Sequence, residues 1–132
     1  MGEDQTQTDW IIQTRRGVLE LCLLILLRGE ARYGYELLAE LGRSPALEIP
    51  EGTLYPLLRR LERSGVLQSS WVESPAGPPR KYYSLTASGR RQLERKSTQW
   101  DAIAAAVAAL QRSDVRRPSG RGSNRPIEAL NR

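Results

Sequence analysis

The stretch from Glu51 to Val66 constrains the fold most, because Leu54, Leu57, Leu58 and Leu61 fall at helical spacing and must be buried together. At about 100° of turn per residue, Gly52, Pro56, Arg59 and Arg63 then point away from the leucines, with Thr53, Tyr55 and Arg60 on the flanks. A helix that is small and polar in its first turn and basic beyond it suits entry into a DNA groove, with later side chains reaching phosphates. A basic face opposite a leucine stripe is equally the pattern of a solvated helix, so the neighbouring segments have to decide. Pro56 leaves a second choice open. Its missing N–H is harmless if Thr53 caps the helix and distorting if the helix begins at Glu51.

A chain of 132 residues holds one small domain with some extra length. Its formal charge of +5 favours a polyanionic partner. That charge is uneven: residues 112–132 carry six arginines against Asp114 and Glu128, which leaves the body near neutral. Any nucleic-acid surface in the body must therefore be a local patch. With no histidine and only Cys22, inside an apolar run, the sequence offers no metal site, no nucleophile system and no disulfide framework. The expectation is a non-enzyme without cofactor, in a reducing cytoplasm. The apolar run Leu21–Leu27 falls far short of the roughly 20 residues of a membrane span.

Residues 1–8 are polar and read as a flexible N-terminus. Asp9 opens a helix running to about Arg28, sparse in apolar residues at first and apolar nearly all round in its second half, which calls for neighbours on several sides. A short helix follows from near Tyr33, buried through Leu37, Leu38 and Leu41, with Gly42 as its cap. Gly34 costs helix stability there unless a backbone or a phosphate comes close. Leu47 and Ile49 alternate as in a very short strand before the Glu51 helix.

The runs Val66–Val72 and Arg80–Leu85 read as a β-hairpin, with its prolines confined to a turn at Glu73–Pro79 and Arg80 and Lys81 leaving the tip. A basic hairpin directly after a basic helix is the layout of a winged helix, the helix in the major groove and the wing along the backbone or minor groove. Of Tyr82 and Tyr83, one belongs to the core and one to the surface. Thr86 can cap a last helix to about Gln111. Along it Leu93, Trp100, Ile103, Val107 and Leu110 form an a/d seam broken at Lys96, which suits pairing with a second subunit. The arginine-rich segment 112–132 reads as disordered. The expected division is thus 1–8 flexible, 9–85 winged helix, 86–111 dimerisation helix and 112–132 tail.

Four stretches resemble successive signatures of the PadR family of bacterial transcriptional regulators, in order and spacing. They are Arg16-Gly-Val-Leu-Glu-Leu, Tyr33-Gly-Tyr-Glu-Leu, Gly52-Thr-Leu-Tyr-Pro through Leu67, and Arg80-Lys-Tyr-Tyr-Ser-Leu-Thr-Ala-Ser-Gly89. The resemblance implies a mainly α winged helix-turn-helix with a small β-hairpin wing and a long C-terminal dimerisation helix. It implies a repressor that occupies a palindromic operator as a homodimer and is released by a small-molecule effector. Carried to this chain, the DNA-facing residues are Tyr33, Thr53, Tyr55, Arg59, Arg60, Arg80 and Lys81; Arg63 joins them from the helix reading above. The dimer interface takes Trp10, Leu19 and Leu23 from the first helix and Leu93, Trp100, Ile103, Val107 and Leu110 from the last. Trp10 and Trp100 are candidates for an aromatic effector pocket between subunits. The tail exceeds the family pattern, and Thr86-Ala-Ser-Gly89 lacks the acidic residue of a capping box. Against this stands a winged-helix effector-sensing or protein-interaction module without specific DNA binding, a reading kept open by the near-neutral body.

Overall fold

A computed structural model describes residues 2–116, and the chain divides into two units, Met1–Ser97 and Thr98–Arg132. Elements follow in the order α1 (Gly2–Leu26), β1 (Arg32–Tyr33), α2 (Gly34–Leu41), a single 3-10 turn (Pro45–Leu47), α3 (Glu51–Arg63), β2 (Leu67–Ser74), β3 (Gly77–Leu85) and α4 (Ala87–Arg116). The three strands form one antiparallel sheet in the order β1-β3-β2. With α1 to α3 and the long final helix, this is a winged helix-turn-helix, as the sequence pattern implied.

The core of the first unit is almost entirely leucine. Leu19, Leu23, Leu24 and Leu27 of α1 meet Leu37 and Leu41 of α2, Leu54, Leu58 and Leu61 of α3, and Leu67, Tyr83 and Leu85 of the sheet. Full burial contributes about 1.5–3 kcal/mol for each such side chain, which outweighs the modest helix propensities of these short segments. The apolar second half of α1 is central here, as its all-round greasiness required. Leu19 and Leu23, expected at a subunit interface, are instead spent inside their own domain; Leu23 is 0% exposed and has no surface left for a partner.

The helix ends are closed by identifiable partners. Arg32 Nε donates to Leu26 O at 2.9 Å, satisfying a carbonyl that the end of α1 leaves free. Glu36 accepts from the Tyr33 backbone N–H at 3.1 Å and so fixes the entry to α2. At the end of α3, Val66 N–H bonds Leu61 O and Gly65 N–H bonds Glu62 O, with Gly65 at φ +82°, the left-handed conformation glycine adopts without a Cβ clash. Thr86 Oγ1 accepts from Gly89 N–H at 3.0 Å and lies 2.6 Å from Gly65 O, so the start of α4 is tied to the end of α3.

Several boundaries differ from the sequence reading. Helical backbone opens at Gly2, so α1 covers the 2–8 segment expected to be frayed and does not wait for Asp9. The Leu47–Ile49 segment makes no strand. Pro45 starts the 3-10 turn instead, and the loop is pinned from α1 by Arg15, whose guanidinium reaches Glu48 O at 3.0 Å and Ala46 O at 3.4 Å. The third strand comes from Arg32–Tyr33, paired with Tyr83 and Tyr82. The hairpin turn is only Pro75-Ala76, because pairing resumes at Ser74 and Gly77. Pro78 and Pro79 therefore lie within β3, where a register shift sets both against Glu73; a bulge there removes the ladder bonds that proline cannot make. α3 begins at Glu51, with Pro50 as its cap, which puts Pro56 inside the helix. Thr53 and Leu54 N–H both bond Pro50 O, while Gly52 O has no N–H to receive from Pro56. α4 continues to Arg116, beyond the expected end at Gln111; the arginine-rich segment from 117 onward lies outside the described residues.

Gly89 tests the α3–α4 junction, since a Cβ built there collides with the carbonyl oxygen of Val66. Gly89→Ala should lower stability by about 1–3 kcal/mol, the range for overpacking. In urea the midpoint should fall with an unchanged slope; an unmoved midpoint would show that the junction relaxes freely.

Candidate nucleic-acid interface

Burial of Leu54, Leu58 and Leu61 rolls α3 so that its other side faces solvent, and Gly52, Thr53, Pro56, Arg59, Arg60 and Arg63 are all exposed. The predicted cations differ in what they already hold. Arg60 lies 3.7 Å from Glu20 of α1, a carboxylate that Lys96 of α4 shares at 3.6 Å. Lys81 lies 3.3 Å from Glu62. Arg59, Arg63 and Arg80 make no ion pair among the described residues.

The predicted residues divide between two clefts flanking α3. On the wing side, a cleft of about 390 Å³ is lined by Tyr33, Gly34, Tyr55, Arg59, Trp71, Arg80, Lys81 and Tyr83. On the α1 side, a larger cleft of about 550 Å³ brings Thr53, Arg60 and Arg63 together with Arg15 and Arg16 over an apolar floor that includes Ile12, Leu19 and Leu57. In the wing-side cleft the Arg80 guanidinium stacks over the Tyr33 ring at 4.5 Å, and Tyr33 packs on Tyr82 with centroids 5.4 Å apart. Such stacking orients a guanidinium while leaving its donors free for an anion. Tyr83 is the core ring and Tyr82 the half-exposed one, the split expected of the pair.

Gly34 has a side-chain reason, where the sequence suggests a backbone or a phosphate. A Cβ there would sit 2.6 Å from Tyr55 Cε1, so the absent side chain is what lets the Tyr55 ring lie across the start of α2. Burial, followed by the charge of Glu51, pushes the Tyr55 phenol above its ordinary range, so it stays a neutral hydroxyl donor.

Two features escaped the sequence reading. Trp71, exposed on β2, is the register partner of Lys81, whose ammonium lies 6.0 Å from its ring centroid. Glu62 joins α3 to the wing, accepting from Ser69 Oγ with one oxygen and pairing with Lys81 through the other. The turn position would have revealed both, because it sets which residues of β2 and β3 face each other; the Pro-rich segment 75–79 left that position open.

Outside this surface the expected interface residues behave differently by element. Trp10 is exposed on α1, and Leu93 is half-buried against the core. In the second unit Trp100, Ile103, Val107 and Leu110 are all exposed, Leu110 at 70%. Burial pushes the Cys22 thiol up, which makes it a weak nucleophile. No group of three or more metal-ligating side chains occurs among the described residues, and none of their helices is long and apolar enough to cross a membrane.

Comparison with known proteins agrees with this architecture. The model of the transcriptional regulator PadR-like family matches residues 23–95. A PadR family transcriptional regulator from Eggerthella lenta is 37% identical, with 84% of this chain and 96% of that one covered and a TM-score of 0.73. A PadR-like transcriptional regulator from Bacillus cereus is 36% identical, with 75% and 96% covered and a TM-score of 0.69. Bacillus subtilis PadR, solved in complex with operator DNA, is 28% identical, with 59% of this chain and 44% of that one covered and a TM-score of 0.53.

The Glu62 carboxyl is held below its ordinary range, chiefly by the Ser69 hydrogen bond; burial opposes this, and the hydrogen bond and charge of Lys81 add to the lowering. A depressed carboxylate contributes stability that is present above its unfolded value, about 4.3, and is lost as pH falls through the folded one. Glu62→Gln should therefore flatten the acid limb of a Tm-against-pH profile. An acid limb identical to that of the unaltered chain would show that Ser69 and Lys81 do not hold this carboxylate in solution.

Proposed function

Because the chain belongs to the PadR-like family of transcriptional regulators, we propose that it binds a palindromic duplex operator as a homodimer and represses transcription by excluding polymerase. The observation that carries this reading is that, of the arginines without an ion partner among the described residues, three converge on the outer side of α3 and the wing: Arg59 and Arg63 along α3, and Arg80 stacked on Tyr33 beside it. The Bacillus subtilis relative, solved with operator DNA, supports it. In this reading the first turns of α3 enter the major groove, with Thr53, Tyr55 and Arg59 toward the bases. Arg63, Arg80 and the Tyr33 hydroxyl meet phosphates on either side, and Arg60, tied to Glu20, lies at the rim.

The C-terminal helix supplies the two-fold partner. Trp100, Ile103, Val107 and Leu110 make an exposed apolar stripe on a helix that has little else to cover, and such stripes mark association surfaces. Trp10, exposed on α1, and Leu93 are further interface candidates. Two-fold symmetry then places the half-sites about one helical turn, 10–10.5 base pairs, or a multiple of it apart. An aromatic effector held against Trp100 would release DNA by favouring a dimer with the wrong separation of the two α3 helices.

Footprinting on the DNA around the protein's own gene should give a symmetric protected site. Arg63→Met and Arg80→Met should each flatten the dependence of log K on log salt by about 0.9, the value for one lost phosphate contact. Truncation after Ser113 should keep the footprint. If specific binding disappears with the tail, the helix-and-wing mechanism is wrong and the module without specific DNA recognition is favoured.

Val107→Glu with Leu110→Glu should convert the dimer to a monomer in sedimentation and abolish the two-half-site footprint. Aromatic inducers should quench tryptophan emission in the unaltered chain and lose that quenching in Trp100→Phe. A chain that is monomeric without any substitution would overturn the interface and the pocket together.

A further inference from the structure

Glu62 is the one carboxylate of α3 that reaches both strands of the wing. Its two oxygens are divided: one accepts from Ser69 Oγ on β2, and the other pairs with Lys81 Nζ at 3.3 Å on β3. The register sets Ser69 opposite Tyr83 and Trp71 opposite Lys81, and alternation along each strand puts all four side chains on one face of the sheet. Lys81 is half-buried there, its ammonium 5.6 Å from the Tyr83 ring centroid as well as beside Glu62. The apolar packing of the wing on the core ends at Leu67, Tyr83 and Leu85; toward the tip from these, the side chains of β2 and β3 are half-exposed or exposed.

We infer that Glu62 is a positioning residue that sets the angle of the wing against α3, and that Lys81, neutralised by it, is not a phosphate contact. The inference rests on the DNA-binding reading above and deepens it. Glu62 and Lys81 are each about one-third exposed, so their ion pair adds less to folding stability than the Ser69 bond to the same carboxylate, and its effect falls mainly on where the wing lies. The apolar packing is confined to the wing base and β1 pairs with β3 only at Tyr82 and Tyr83, so beyond these and the Arg80–Tyr33 stack the Glu62 carboxylate is the tie from α3 to both strands of the hairpin. Holding the wing keeps Arg80 at a set reach from Arg59, the two unpaired guanidiniums that line the wing-side cleft. Pairing Lys81 also removes a cation whose attraction for phosphate carries no sequence information.

The test is binding of the full chain to its footprinted operator, by anisotropy, across a series of salt concentrations. Lys81→Met alone should leave the salt slope within about 0.3 of the unaltered value. Glu62→Gln, which keeps the shape and the Ser69 bond but removes the charge, should steepen the slope by about 0.9 as Lys81 is released to a phosphate. It should also narrow the ratio of operator to random-duplex affinity about fivefold. Glu62→Gln with Lys81→Met should restore the slope. Ser69→Ala should act in the direction of Glu62→Gln by smaller steps and serves if that variant folds poorly. Flattening by about 0.9 on Lys81→Met alone would make Lys81 a phosphate contact and overturn the inference, as would a Glu62→Gln slope equal to the unaltered one. Absence of any specific duplex binding by the unaltered chain would instead sink the DNA-binding reading. The tie between helix and wing is then read by hydrogen exchange: amides of residues 70–74 and 80–81 should exchange about tenfold faster in Glu62→Gln with residues 67 and 85 unchanged, and equal rates would overturn it.

Discussion

Burial of Leu54, Leu58 and Leu61 against the leucines of α1 and α2 is the constraint on which the rest of this structure depends. These side chains are at most 1% exposed, and their spacing allows only one roll of α3 about its axis. That roll turns Arg59 and Arg63 outward, brings Tyr55 over Gly34, and leaves Glu62 on the flank that meets the wing. A helix of this length would be marginal in water by itself, so its outward chemistry is inherited from its packing. The Schellman closure at Gly65 and the Thr86 bonds to Gly65 and Val66 then carry the same orientation into the sheet and the start of α4.

Within the first unit, the electrostatics of the surface follow from which cations the fold neutralises. Glu20 is shared by Arg60 and Lys96, and Glu62 takes Lys81. Exposed pairs of this kind contribute little to stability, but they decide where uncompensated charge remains. On α3 and the wing it remains at Arg59, Arg63 and Arg80, and beside α3 at Arg15 and Arg16 of α1. A near-neutral body can in this way present a local positive patch, which net charge alone would not disclose.

The second unit is governed by the opposite circumstance, an apolar stripe without cover. Trp100, Ile103, Val107 and Leu110 repeat along one side of α4, where alanines elsewhere on the helix give it helix propensity but little to bury. The leucine core of the first unit is complete without them. A stripe of this kind gains free energy only from another surface, and that is the physical basis for proposing a second copy as its partner.

Sequence alone determined the elements whose signals are local: the leucine period of α3, the glycine at 42, the threonine cap at Thr86, and the four signatures that resemble the family's. It also located the right faces, because periodicity assigns a residue to a side of a helix or strand without knowledge of neighbours. Only the tertiary structure decided which cations were free, since Glu20 and Glu62 are distant in sequence from some of the side chains they neutralise. The same holds for Leu19 and Leu23, whose helical pattern cannot distinguish a domain core from a subunit interface; packing against α2 and α3 assigned them to the core. Pro56 posed the sharpest local choice. Its missing N–H suited a Thr53 cap, yet the bonds of Thr53 and Leu54 to Pro50 O put the helix start at Glu51.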